Sequence, residues 1–354
     1  NEPYVDYYFR HPSYNFYPVV GVTWEQANQY CSWRTDRVNE YILIREGILR
    51  IDPNQSDEEN FNTEAYLAGQ FEGLVKDNLR DLNPNGAGTR KVRMEDGILL
   101  PKYRLPTEAE WEFAALGLIG NTLYERVIDR RIYPWNGHVL RTDASRNMGD
   151  FVANFKRGRG DNMGVAGALN DGAEVTAPVF SYFPNDYGLY HMAGNVAEWV
   201  LDVYRPLSHE DVEDFRPFRG NVFQTQVRDE EGLIAEKDSL GRIRWRDVTP
   251  EEAAGRRNYR QSDNRNFVDG DFTSSVFYFD ESYLEGDNQD KVMYQFGFNS
   301  LINNNSRVYK GGSWKDRAYW MSPGTRRFLD QKMSTEFIGF RCAMDRVGSP
   351  FGRR

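Results

Sequence analysis

The 354-residue sequence holds only two cysteines, Cys31 and Cys342, near opposite ends of the chain, and neither sits in a Cys-x-x-Cys or Cys/His cluster of zinc spacing. Histidine is as sparse. His11, His138, His191 and His209 lie far apart with no His-x-His or His-x-x-x-His pair, so a three-histidine iron centre is not supplied, and His191 reads as a core or loop residue. No apolar run approaches the ~18 residues that would cross a bilayer, and mean hydropathy is −0.72. Basic residues are outnumbered, 44 against 53 acidic, for a net charge of −9. That excludes a nucleic-acid surface, which needs clustered Lys and Arg to displace counterions from phosphate. Gly158-Arg-Gly-Asp-Asn-Met-Gly lacks the Lys-Ser/Thr of a phosphate loop and reads as a turn.

What is present is a folding composition: 40% hydrophobic residues with 21 Tyr, 22 Phe and 8 Trp, too aromatic for a disordered chain. The charge is uneven. Residues 206–290 hold 20 acidic and 11 basic side chains and so carry the whole imbalance. The first residues, Asn1-Glu-Pro-Tyr, are neither a start methionine nor a signal peptide, so a processed or truncated product is expected. On composition, the cysteines could be two buried thiols or one disulfide closing a very long loop in an oxidising compartment.

Thr23 followed by Gln26 predicts a capped helix over about 24–46, with Ala27, Tyr30, Cys31, Val38, Tyr41 and Ile42 at helical spacing. Thr107 with Glu110 predicts a second capped helix that Gly117 ends. The polar stretch 52–100 reads as an excursion with one helix at 63–80. Between 132 and 200, Gly, Asn, Asp and short aromatic runs alternate in the manner of short strands and loops. Strands are predicted at 242–248, 273–279, 307–314 and 339–344. The fold class expected is α+β, dominated by loops.

Four blocks carry a resemblance. They are Pro18-Val-Val-Gly-Val-Thr-Trp with Ala27-Asn-Gln-Tyr-Cys-Ser-Trp, Arg104-Leu-Pro-Thr-Glu-Ala-Glu-Trp-Glu, Tyr187-Gly-Leu-Tyr-His-Met-Ala-Gly-Asn-Val-Ala-Glu-Trp, and Lys310-Gly-Gly-Ser-Trp with Gly339-Phe-Arg-Cys-Ala. In this order and spacing they resemble the formylglycine-generating-enzyme/sulfatase-modifying-factor family. The resemblance implies a loop-rich variant of the C-type-lectin fold over 1–354 as a single domain, without the family's N-terminal part and with insertions at about 37–100 and 205–300. It also implies a disulfide between Cys31 and Cys342. Calcium is implied at two sites, one from Asn195, the Val196 carbonyl and Glu198, the other from Asn154, Asp171 and the carbonyls of Phe155 and Ala173.

The sequence departs from the family's enzymes at the reactive centre. Where they carry two catalytic cysteines after Gly-Gly-Ser-aromatic, this chain has Asp316 and Met321, neither of which can bind copper as a thiolate or exchange disulfides. No catalytic residue and no copper are therefore expected, and Ser313, Trp314, Asp316, Trp320, Met321 and Arg326 form a degenerate cleft. Ser313 lacks a Gly-x-Ser-x-Gly elbow and reads as a strand-end residue. The insert-bearing, degenerate pattern resembles the gliding-motility and type IX secretion lipoproteins of Bacteroidetes, of the GldJ type or its relative GldK. That implies a structural protein at the periplasmic face of the outer membrane, tethered by lipid outside this chain, with other proteins of that machinery as partners. The alternative is an enzyme or a glycan- or peptide-binding module that keeps the cleft. The acidic group Asp202, Asp211, Glu213 and Asp214 reads as a solvated face.

Overall fold

A helix starts where the sequence supplies its own donors and acceptors for the first turn. Thr23 and Gln26 do so reciprocally: the Thr23 amide donates to Gln26 Oε1 at 3.0 Å, and the Gln26 amide to Thr23 Oγ1 at 3.1 Å. Helix α1, Trp24–Arg45, follows from this point. The structure, a computed structural model, describes residues 6–76, 78–84, 86, 88–117, 119, 122–123, 126–127, 131–135, 138–158, 173–206, 218–249, 251–252 and 302–347. They form two units, one of residues 1–27, 105–221 and 264–341, the other of 28–104, 222–263 and 342–354.

In the first unit, helix α3, Glu108–Leu116, is capped by Thr107 and Glu110 as the sequence predicts and ends at Gly117 in the left-handed region. Four strands make the sheet: β1 Ala197–Val203, β2 Ser306–Lys310, β3 Arg327–Asp330 and β4 Ile338–Phe340. Their order is β3-β2-β1-β4, antiparallel except for the β1–β4 pair. Every residue of β1 is buried. The β1–β2 register shifts between Trp199 and Val203, and contacts with α3 place Glu198, Val200 and Asp202 on one face, with Trp199 on the other. Trp111 and Ala115 of α3 pack with Val200, Val308 and Met192 on the first face. On the second, Trp199 meets Tyr309 edge to face, and Arg307 lies 3.9 Å over the Trp24 ring. A further cluster joins Phe151, Ala153, Phe155, Ala193 and Met321.

In the second unit a core of Leu43, Ile48, Leu49, Phe61, Tyr66, Phe71, Val92 and Leu99 is buried. Helix α2 spans only Thr63–Leu67, against the expected 63–80. Gly69 takes the left-handed conformation at φ 84°, after which Phe71 turns into the core and Leu79–Arg80 pairs with Thr89–Arg90. Trp245–Asp247 forms a strand within the expected 242–248, paired with Gln224–Gln226. Ala343–Met344 pairs with Tyr103–Arg104. The strand expected at 273–279 lies outside the described residues. The stretch 37–100 belongs to this second unit, as do residues 222–252. Among the described residues no helix is long and apolar enough to cross a membrane.

Candidate functional site

Two glycines set up the chain reversal after β2. Gly311 and Gly312 have φ of 90° and 66°, and a Cβ on Gly312 would lie 3.0 Å from the Trp320 carbonyl oxygen. The turn therefore needs glycine, and it delivers Ser313 and Asp316 beside β3. Asp316 accepts from Arg327 through both terminal nitrogens, at 2.6 and 2.7 Å, and from Ser313 Oγ at 2.6 Å. The Arg327 guanidinium lies over the Trp320 ring at 4.5 Å and the Tyr309 ring at 4.8 Å. Met321 is fully buried against Phe151, Phe155 and Ala193. The expected cleft residues thus separate: Asp316 is locked in an ion pair and Met321 is core. Trp314 Nε1 is buried with no hydrogen-bond partner.

Arg326 does not join this cleft. Its guanidinium grips Glu108, at 2.7 and 3.0 Å, and donates to the Arg205 carbonyl at 2.8 Å. Glu108 and Glu112 also accept from Lys310 Nζ, at 3.2 and 2.5 Å, and the Lys310 side chain is wholly buried. Burial would raise the Glu108 carboxyl, but the charges of Lys310 and Arg326 hold it below the usual range. Asp202 sits next in the chain of buried charges. It accepts from the amides of Glu108 at 2.6 Å and Arg219 at 3.1 Å. Burial, with the Glu108 charge behind it, nonetheless pushes Asp202 up to about 7. Reading Asp202 as part of a solvated acidic face is therefore corrected, because β1 carries it into the interior; Asp211, Glu213 and Asp214 lie outside the described residues. The signal for this network was present as charged residues, Glu198, Asp202 and Lys310, inside otherwise apolar strand patterns.

The two metal sets part company in the same way. Glu198 is the partner of Arg341, whose guanidinium engages both carboxylate oxygens, and Trp111 Nε1 donates to Glu198 Oε2 at 2.7 Å. The Asn195 side-chain oxygen accepts from the Ala177 amide at 2.7 Å and Asn154 Nδ2 at 3.2 Å, while its Nδ2 donates to the Ala177 carbonyl. With Glu198 neutralised by a guanidinium and Asn195 clamped on the amide and carbonyl of Ala177, Asn195, Val196 and Glu198 do not fit calcium in this arrangement. Asn154 differs. Its Nδ2 is fixed by the Val175 carbonyl at 2.7 Å, and its Oδ1 is buried with no partner. A buried hard oxygen without a partner is a donor suited to calcium. Asn154, Phe155 and Ala173 are described, whereas Asp171 lies outside the described residues. Among those residues no group of three or more His, Cys, Asp or Glu could hold a metal by itself.

In the second unit, Cys31 on α1 and Cys342 beside the terminal strand bring their sulfurs to 3.6 Å as two thiols. A disulfide sulfur pair is about 2.05 Å apart. The S–H of Cys31 pulls Cys342 down to about 7 against its burial, with Arg34 adding to the effect, and Cys31 is raised correspondingly.

The profile of the FGE-sulfatase family, the sulfatase-modifying factor enzyme 1-like domain, matches residues 9–247. The formylglycine-generating enzyme of Mus musculus is 38% identical over 114 residues, 32% of this chain and 26% of that protein. The formylglycine-generating enzyme of Streptomyces coelicolor is 29% identical over 170 residues, 47% of this chain and 48% of that protein. The inactive C-alpha-formylglycine-generating enzyme 2 of Mus musculus is 34% identical over 118 residues, 33% of this chain and 30% of that protein. The chain thus spans from about a quarter to a half of the length of these relatives, and similarity extends to both active and inactive forms.

Proposed function

The chain belongs to the sulfatase-modifying factor enzyme 1-like domain family, and from that premise we propose that it is a catalytically inactive member that acts as a structural scaffold. The observation that carries this reading is the fate of the two positions that resemble the catalytic cysteines. Asp316 is bound by Arg327 and Ser313, and Met321 is buried in an aromatic cluster. Neither residue has a thiolate to bind copper or to exchange a disulfide, and the surrounding packing stabilises both in their present role. Inactive members of the family exist, as the named mouse relative indicates.

The finer assignment is to a GldJ- or GldK-type lipoprotein of gliding motility and type IX secretion, held at the periplasmic face of the outer membrane by a lipid outside this chain. The degenerate thiol positions and the insertions at about 37–100 and 205–300 on a C-type-lectin-variant domain support it. Calcium is placed at Asn154 with the Phe155 and Ala173 carbonyls and Asp171, supported by the unpartnered Asn154 Oδ1. The ion would serve there as a structural cross-link between oxygen ligands. The disulfide between Cys31 and Cys342 is supported by the facing of the two sulfurs.

A second reading, a glycan- or peptide-binding module that uses the cleft, is favoured by the buried and unpartnered indole N–H of Trp314. Purification of the full chain from its native membrane with its neighbours attached separates the two. The scaffold reading expects motility and secretion proteins to co-purify and to be lost when residues 206–290 are deleted. Unchanged assembly of a folded deletion variant would place the interface elsewhere.

A further inference from the structure

In the second unit the two thiols meet on backbone segments that are tied together. The Cys31 carbonyl on α1 accepts from Thr35 Oγ1 at 2.9 Å, and that oxygen in turn accepts from the Tyr103 amide at 2.9 Å. Tyr103–Arg104 pairs with Ala343–Met344, which directly follows Cys342. These ties hold the sulfurs face to face at 3.6 Å, close to the ~3.5 Å of a near-attack geometry. Yet the two cysteines are not equivalent. Cys31 is 1% exposed, whereas Cys342 is half-buried and keeps part of its surface in solvent.

The electrostatics around the pair are as unequal as the burial. Arg34, on the next turn of α1 after Cys31, holds its guanidinium 5.0 Å from the centre of the Tyr103 ring, and no carboxylate pairs with it among the described residues. Its charge is thus free to favour an anion at Cys342. Donation from the Cys31 S–H is the larger influence and Arg34 the smaller, and against burial they bring Cys342 to about 7. The same hydrogen bond and its own burial drive Cys31 upward. Near neutral pH, therefore, Cys342 is substantially thiolate and Cys31 is a thiol. The thiolate is the nucleophile in disulfide exchange, and access decides which sulfur an outside reagent reaches. Both criteria select Cys342.

An inert staple asks only that two sulfurs lie within bonding reach, and burial of both would serve it best. Unequal exposure, with a cation beside the more exposed sulfur, is instead the arrangement of a reactive thiol backed by a resolving one. We propose that Cys342 is the entry thiol through which an external disulfide oxidises the pair, and that Cys31 resolves the mixed disulfide. In the first step the Cys342 thiolate attacks one sulfur of the disulfide R–S–S–R, forms a Cys342–S–S–R bond and releases RS⁻. In the second, Cys31 gives up its proton, attacks Cys342 Sγ, forms the Cys31–Cys342 bond and releases the second RS⁻. Two protein thiols are oxidised, one disulfide is reduced to two RSH, and the protons of Cys31 and Cys342 end on those thiols. This deepens the disulfide reading by giving its route, and rests on it for the final bond.

The test starts from the purified full chain, reduced and then freed of reductant. Oxidised glutathione and an oxidised dithiol oxidoreductase are each added near neutral pH, alkylation quenches samples over time, and peptide mapping locates every adduct. The parent chain should pass through a transient adduct on Cys342 and finish with Cys31 and Cys342 joined. Cys31→Ser should stop at the Cys342 adduct. Cys342→Ser should form a Cys31 adduct about tenfold or more slowly than Cys31→Ser forms its own. Arg34→Gln should slow adduct formation at Cys342 about twofold or more. An adduct at Cys342 from either oxidant supports the route, and the faster of the two identifies the oxidant. Should a variant not fold, limited alkylation of the reduced parent chain still decides: Cys342 is expected to be labelled first, and the two cysteines at similar rates once urea unfolds the chain. Labelling of Cys31 first, equal labelling in the folded chain, or equal adduct rates in the two serine variants would overturn the proposal. Whether the bond exists in protein isolated without reductant is a separate measurement, so the route and the bond can fail independently.

Discussion

Arg327 holds Asp316 with both of its terminal nitrogens, at 2.6 and 2.7 Å, in a position where the family resemblance calls for a reactive thiol. The pair is mostly buried, with side-chain exposures of 16% and 13%. Bidentate geometry of this kind is stable when intact and costly when halved, because a single partner leaves an uncompensated charge out of water. Asp316→Ala should therefore lower stability by about 2–4 kcal/mol. Asp316→Ala combined with Arg327→Met should recover much of that loss. Urea unfolding of the two variants checks it, and a double variant no better than the single would show that the ion pair is not the stabilising element.

Asp202 predicts a pH dependence of known sign. In the folded chain its carboxyl keeps its proton up to about pH 7, whereas in the unfolded chain it releases it near pH 4. Between those values the folded state binds the extra proton, so this residue makes stability fall as pH rises from about 4 to 7 and level off above. The groups facing it are Glu108, Arg326 and the Arg219 amide. Glu108, held low by Lys310 and Arg326, acts with opposite sign and in a more acid range, where its protonation costs stability. Asp202→Asn should flatten the fall between pH 4 and 7. A melting-temperature profile identical to that of the parent would contradict the assignment.

Much of this was legible in local sequence and much was not, and the boundary is physical. Helices α1 and α3 announce themselves because Thr23 with Gln26 and Thr107 with Glu110 lie three residues apart, within reach of one another before anything else folds. Helix α2 misleads because the polar run beyond Leu67 has acceptable helix formers, yet Gly69 and the burial of Phe71 end it. The buried charges are a longer-range matter. Glu108 meets Lys310 across 202 positions, and Glu198 meets Arg341 across 143. Nothing local tells a reader whether a glutamate in an apolar strand awaits a metal or a guanidinium. Motif resemblance pointed to calcium at Glu198, and the geometry gives that carboxylate to Arg341.

That geometry moves the proposed calcium from Glu198 to Asn154. Calcium should raise the melting temperature of the purified chain and chelation should lower it, since a ligand bound only by the native state stabilises it. Asn154→Ala should abolish the difference. Glu198→Gln should destabilise the chain by about 3 kcal/mol or more, because Arg341 loses its charge partner, yet leave the calcium response in place. A response that follows Glu198 and ignores Asn154 would return the ion to the first site.

Cys31 and Cys342 lie 311 positions apart with their sulfurs at 3.6 Å, and a bond between them would close that loop. In protein prepared from an oxidising compartment, non-reducing peptide mapping should find them joined. Reduction should then cost about 6 kcal/mol at most, the chain-entropy value for a loop of that length. Two freely alkylated thiols in protein isolated without reductant would defeat the bond and the periplasmic placement together.

Asp316 and Met321 should support no thiol chemistry, and one assay tests this. The purified chain is incubated with a cysteine-containing sulfatase peptide, copper and oxygen, beside an active formylglycine-generating enzyme as control, and the peptide is weighed by mass spectrometry. The cysteine is expected to stay unaltered with this chain under conditions where the control converts it. Formylglycine formed by this chain would overturn the reading of it as catalytically inactive.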